Sequence, residues 1–268
     1  MLEAMPKAPQ RVVGFRGGGF APRPRRRAAW IAFVLVILIW QGALSAGLVS
    51  PVFLPSPWSI LLALRDLALS GELWRHLSVS LMRIAGGWAL GTVAGLALGV
   101  AIGLYSLARS VGLPFVSALF PIPKIALLPL LILWLGIGEP SKLATIALGV
   151  FFPTVIATFS GIDNVPRGLI RMAQSFDIPF AAIVAKIVLP GALPSIISGF
   201  RISASTALLL VVAAEMIGAQ VGIGAFVLSA GNLMQTDQLM AGVAVLSALG
   251  LVIGVLLSLL ERRLLRWR

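Results

Sequence analysis

The 268-residue chain has no cysteine, one histidine (His76), one tyrosine and nine acidic residues. Without thiols there is neither a disulfide framework nor a thiolate metal site. A single imidazole leaves little room for histidine-based catalysis. Also missing is any glycine-rich loop ending in Lys-Ser or Lys-Thr, so the chain has no P-loop of its own for ATP. What is abundant is apolar: 59% of residues are hydrophobic and only 11% charged, with a mean hydropathy of +1.03. That balance belongs to a membrane protein forming one cluster of spans. The net charge of +12 lies mainly at the chain ends and in one central segment. There it suits anionic lipid better than nucleic acid.

Six apolar windows can cross ~30 Å of hydrocarbon at ~1.5 Å per residue. They fall at 29–49, 84–104, 110–135, 143–160, 192–218 and 239–260. The first is too long for a signal-peptide core and ends at a poor cleavage site, Leu48-Val49-Ser50-Pro51, so it reads as an anchor. The amino-terminal tail carries Lys7, Arg11, Arg16, Arg23, Arg25, Arg26 and Arg27. The other end carries Arg262, Arg263, Arg266 and Arg268. Both termini are therefore expected in the cytoplasm, which requires an even number of spans. Residues 1–28, rich in Pro, Gly and Arg without periodicity, are expected to be a disordered tail, and 29–268 the transmembrane domain. Residues 218–238 have no Lys or Arg and read as a flexible outer loop. Region 55–83 also falls outside, despite Arg65, Arg75 and Arg83; its Trp58–Leu64 stretch looks like an interfacial helix.

Between two spans, about residues 161–191, the chain is too polar to cross and too apolar to be a plain linker. It reads Asp163-Asn164-Val165-Pro166, then Arg171-Met172-Ala173-Gln174-Ser175-Phe176-Asp177-Ile178-Pro179, then Lys186-Ile187-Val188-Leu189-Pro190. A short helix that starts after one proline and stops at an acid and a second proline forms a cytoplasmic elbow. Its apolar tip, Phe176-Asp177-Ile178-Pro179-Phe180, offers a surface to a soluble partner.

Three patterns lie inside the spans. Gly87, Gly91, Gly95, Gly99 and Gly103 recur every four residues and allow close helix packing, within the chain or between protomers. Pro121 and Pro123 interrupt the third span, and Lys124 follows them. Lys124 reads either as part of a bent, pore-lining segment or as a lysine snorkelling to an interface. Glu215 is the one acid well inside the fifth span, fourteen residues beyond Arg201. Separated by ~21 Å along a helix, the two cannot pair. Lys124 is one partner open to Glu215, which reads either as a pathway or gate residue or as a polar clasp between helices.

These residues together resemble the membrane-spanning permease subunits of bacterial ABC importers of the binding-protein-dependent type, over about residues 55 to 260. The family's cytoplasmic loop has the form Glu-Ala-Ala, three residues, Gly, and a later apolar-Leu-Pro ending. Ala173, Ser175, Ile187-Val188-Leu189-Pro190 and Pro194 align with it. Arg171 stands where that motif has Glu, and Asp177 where it has Gly. Asp tolerates the left-handed conformation better than most residues. The charge reversal at Arg171 leads to the expectation of a compensating acid on the partner. The runs Pro121–Leu130 and Trp134-Leu135-Gly136-Ile137-Gly138-Glu139, together with Gly222-Ile223-Gly224, are similar to the nitrate, taurine and alkanesulfonate branch.

The resemblance implies an all-α integral membrane protein with six transmembrane helices, a type I importer fold and a coupling helix. Arg171, Ala173, Ser175, Phe176, Asp177, Ile178, Pro179 and Phe180 would form that coupling helix and its tip. It further implies a homodimer in the bacterial inner membrane, two ATPase subunits holding ATP-Mg, and a separate solute-binding protein. This chain itself would bind no cofactor. The solute would be a small anion of sulfonate, taurine or nitrate type, or alternatively a neutral vitamin precursor. A membrane-embedded enzyme lacks the convergent polar residues it needs. A proton-coupled transporter would have only Glu215 and no use for the elbow, and no whole-chain repeat supports it. A purely structural subunit leaves the broken third span without a purpose.

Overall fold

A computed structural model of the chain describes residues 26–265. Contacts divide it after Pro57 into two units, each taken by itself. The first holds α1 (Arg26–Ser45), of which Trp30–Ser45 is apolar but shorter than a full crossing. The basic tail falls almost wholly outside the described residues. The second unit is a helical bundle. α2 (Pro57–Leu69) buries Ile60, Ala63 and Leu67 along one stripe against the protein. Next come α3 (Glu72–Leu104), α4 (Ser106–Leu119), α5 (Leu128–Leu135) and α6 (Glu139–Asp163). The elbow carries α7 (Arg167–Ser175), and α8 (Phe180–Ile183) leads through a π-helical turn at Val184–Val188 into α9 (Leu189–Gly218). α10 (Ile223–Asn232) and α11 (Thr236–Leu264) complete the bundle.

Among the described residues four helices are long and apolar enough to cross a membrane: Glu72–Leu104, Glu139–Asp163, Phe180–Gly218 and Thr236–Leu264. A fifth crossing results if Ser106–Leu119 and Lys124–Leu135, bent by 89° at the prolines, count as one broken span. The interruption expected at Pro121 and Pro123 is therefore present. Three expectations change. The second span begins well before residue 84, so Arg83 lies inside α3 rather than in an outer loop. The fifth begins at Phe180 and runs helically through Pro190 and Pro194, since lost amide donors in a buried helix can be tolerated among packed neighbours. The supposed flexible loop 218–238 contains α10, which buries Ile223, Gly224, Ala225 and Ala230.

The glycine stripe fixes the bundle's central contact, and it lies within the chain. A Cβ added at Gly87 would stand 2.6 Å from Ile146 Cβ, one at Gly95 2.8 Å from Thr154 Cβ, and one at Gly99 2.6 Å from Thr158 Cβ. Gly91 meets Val150 and Gly103 meets Ile162 in the same register. Both series advance by four residues together, so α3 and α6 run parallel with their backbones in close approach. α9 packs antiparallel on the other side of α6, where Gly149 faces Leu210 and Gly161 faces Ala192. Ile146, Val150, Ala207 and Val211 form the shared core there.

Candidate functional site

At the end of α6 the chain turns through Asn164 and Pro166 into α7. Ala173 and, partly, Ile170 pack on Ile162, Val165, Ile183, Val188 and Ala192. That anchors one face of the elbow to the ends of α6 and α9. The opposite face is bare: Leu169, Met172, Ile178 and Phe180 are exposed, and Phe176 is 73% exposed. Asp177 has φ +52°. Its N–H donates to Gln174 O at 3.0 Å, and Ile178 N–H donates to Ala173 O at 3.2 Å. These two bonds form a Schellman cap with Asp177 at the position usually held by glycine. The left-handed residue turns the chain so that Phe176 and Ile178 flank the tip. Ser175 Oγ donates to Met172 O at 2.8 Å, and Arg171 is exposed. Beside the elbow, Arg109 of α4 grips Asp163 with both nitrogens, at 2.6 and 2.5 Å.

About 36 Å away, at the other end of α6, lies a second cluster. Glu215 is 1% exposed. Its carboxylate accepts from Ser80 Oγ at 2.7 Å, Arg83 Nη1 at 2.8 Å and Gly224 N–H at 2.8 Å. Arg83 also donates to Val221 O and, through Nε at 2.7 Å and Nη2 at 2.5 Å, to Glu139. Lys142 Nζ stands 3.8 Å from Glu139 and donates to Gly138 O. Arg83, Lys142 and Glu215 are buried, and with the exposed Glu139 they set two cations against two anions, so that no buried charge stands alone. Glu215 and Ser80 together serve the first amides of α10, since Ser80 Oγ also accepts from Ile223 N–H at 2.8 Å. His76 Nδ1 sits 2.9 Å from Gly222 O and 3.0 Å from Gly222 N, bonding one or the other according to tautomer. Gly222, at φ +140°, lies so close to the Glu215 carboxylate that no side chain fits there.

The structure separates the three intramembrane charges named from sequence. Glu215 does not pair with Lys124; Arg83, missed as a site residue, is its partner. Arg201 bonds Ser258 Oγ at 2.7 Å and Glu261 at 2.7 Å, tying α9 to α11. Lys124 Nζ donates to the carbonyls of Leu119, Phe120 and Ile122, at 2.9, 3.0 and 2.6 Å. It also lies 4.5 Å over the ring of Phe152. Each charge is therefore committed to the protein itself.

Comparison with known proteins places this architecture. The family of binding-protein-dependent transport system inner membrane components matches residues 91–267. The putative aliphatic sulfonates transport permease protein SsuC of Bacillus subtilis (strain 168) is 38% identical over 248 residues, covering 91% of this chain and 90% of that one. The taurine transport system permease protein TauC of Escherichia coli (strain K12) is 36% identical over 252 residues, covering 92% of each. A chain of the MetNI methionine ABC transporter, in an inward-facing conformation, shares the fold with a TM-score of 0.59 at 23% identity. It covers 69% of this chain, and this chain covers 92% of it. The chain belongs to the binding-protein-dependent inner membrane component family: it is the permease subunit of an ABC importer, and ATP is hydrolysed on a separate subunit.

Proposed function

We propose that this permease carries small organic sulfonates, taurine among them, across the inner membrane from a solute-binding protein, with its elbow as the docking point for the ATPase. The sulfonate reading rests on the relatives named for aliphatic sulfonates and taurine, each matching about nine-tenths of the chain. The coupling reading is carried by one observation: an anchored helix whose opposite face exposes Phe176, Ile178 and Phe180 around a fixed turn. Such a knob gains by burial in a groove of a soluble partner.

The working assembly in this proposal is two copies of the chain, two ATPase subunits holding ATP-Mg, and one binding protein. Both termini and the elbow face the cytoplasm, and the Glu215 cluster faces the binding protein; α1 supplies the sixth crossing. ATP binding draws the elbows together and tilts α6 and α9, opening the path outward, and hydrolysis resets it. A ligand shifts such an equilibrium only through its different contacts in the two states, so the elbow must be gripped differently by open and closed ATPase. Because Lys124, Arg201 and Glu215 are all occupied, the path offers the solute little charge. Selectivity then resides in the binding protein. Reconstituted vesicles containing the permease, its ATPase and its binding protein should accumulate radiolabelled taurine only with ATP, and aliphatic sulfonates should compete. Uptake of a neutral organic solute that sulfonates do not inhibit would overturn the substrate assignment.

A further inference from the structure

The bend between α4 and α5 is held by a charge. In an unbroken helix the carbonyl of Leu119 would accept the amide of residue 123, but that residue is Pro123 and has no N–H. Ile122 N–H reaches Leu119 O only at 3.3 Å. Further on, the amide of Ala126 turns to Pro123 O at 3.0 Å, leaving Ile122 O without its usual helical donor. In hydrocarbon no water supplies the missing bonds, and each orphaned carbonyl is costly. The ammonium of Lys124 fills that gap. It has three donors, and three carbonyls receive them: those of Leu119, Phe120 and Ile122. A cation at this position also meets the negative end of the α4 dipole. The open side of the ammonium is covered by Phe152 of α6, whose buried ring packs with Ile102, Val116 and Val155. Arg109 holds the opposite end of α4 to Asp163, the last residue of α6. α4 is therefore fastened to α6 at both ends, once beside the elbow and once at the break.

We propose that Lys124 is a positioning residue: its ammonium replaces the amide donors lost at the proline break, holds the α4–α5 bend, and carries movement of α6 into the broken span without touching the solute. The inference rests on the permease reading, so ATP-dependent taurine uptake by the unaltered assembly is established first; its absence would fail that reading and not this one. Lys124→Met is then compared with Lys124→Arg and with Lys124→Met combined with Pro123→Ala, which restores an amide opposite Leu119 O. In vesicles saturated with binding protein, Lys124→Met should cut the maximal uptake rate by about tenfold or more. The taurine concentration giving half-maximal uptake should stay within about twofold, and ATP consumed per taurine should rise. Lys124→Arg should recover much of the rate. The Pro123→Ala combination should recover assembly with the ATPase and thermal stability, but not transport, because it straightens the bend. If Lys124→Met does not assemble, this double variant still reads the capping role through recovered assembly. An unchanged rate, a shift confined to half-saturation, or no recovery of stability by Pro123→Ala would overturn the proposal.

Discussion

Where α6 begins, Arg83, Lys142 and Glu215 are buried and, together with the exposed Glu139, satisfy one another; where it ends, at Asp163, the ion pair is open to solvent and large apolar side chains of the elbow are exposed. Arg83 is 5% exposed and reaches two carboxylates on different helices, with Ser80 and two backbone segments completing the set. The elbow instead anchors one face through Ala173 and leaves Phe176 and Ile178 without cover inside the chain. One end is complete in itself, and the other is built to be completed by something else. In the proposed coupling, that difference separates what holds the bundle together from what moves it.

The largest effect expected from breaking this contrast is at Arg83. Arg83→Met leaves Glu215 buried without its charge partner and should cost about 3–5 kcal/mol of stability, read as a large fall in the thermal midpoint of the detergent-solubilised protein. The double variant with Glu215→Met should lose less than the single changes summed, since neither charge is then stranded. Additive losses would show that the two residues act independently. A middle effect belongs to Asp177. Asp177→Val places a β-branched residue at φ +52° and should cost about 1–2 kcal/mol, whereas Asp177→Gly should be neutral or slightly stabilising. Equal losses from both would mean that the side chain, not the left-handed turn, matters there. The smallest is at Arg109. Its pair with Asp163 is solvated, so Arg109→Ala should shift the thermal midpoint only slightly, far less than Arg83→Met does. A loss as large as that of Arg83→Met would erase the distinction between the two ends.

Reading the sequence in advance succeeded where a pattern had one physical meaning. The five-residue glycine stripe permitted close backbone approach and little else, and it lies against α6 as that argument requires. The prolines at 121 and 123 required a break, and the chain bends there by 89°. Asp177 stands where the family motif has Gly and tolerates a left-handed turn better than most residues, and it is in one. The failures came from judging polarity by window. Arg83 lay in a stretch that the span count placed outside despite its charges, although His76, Ser80 and Arg83 continue the face of Gly87 and Gly91 at helical spacing. That continuity was a usable signal. α10 was hidden because its glycines suggested mobility, whereas they allow close contact with α9 at Val212 and Glu215. Which cation would meet Glu215 was not legible, since the pairing depends on α3 and α9 meeting across intervening helices.

The central claim is that energy enters through the knob around Phe176. It is tested most directly by Phe176→Asp in vesicles carrying the permease, its ATPase and its binding protein. The account predicts a thermal midpoint close to that of the unaltered permease, because the side chain is exposed, together with loss of ATP-dependent taurine uptake and binding to the ATPase weakened about thirtyfold or more. Undiminished uptake by this variant, or solute accumulation by the permease with no ATPase present, would contradict it.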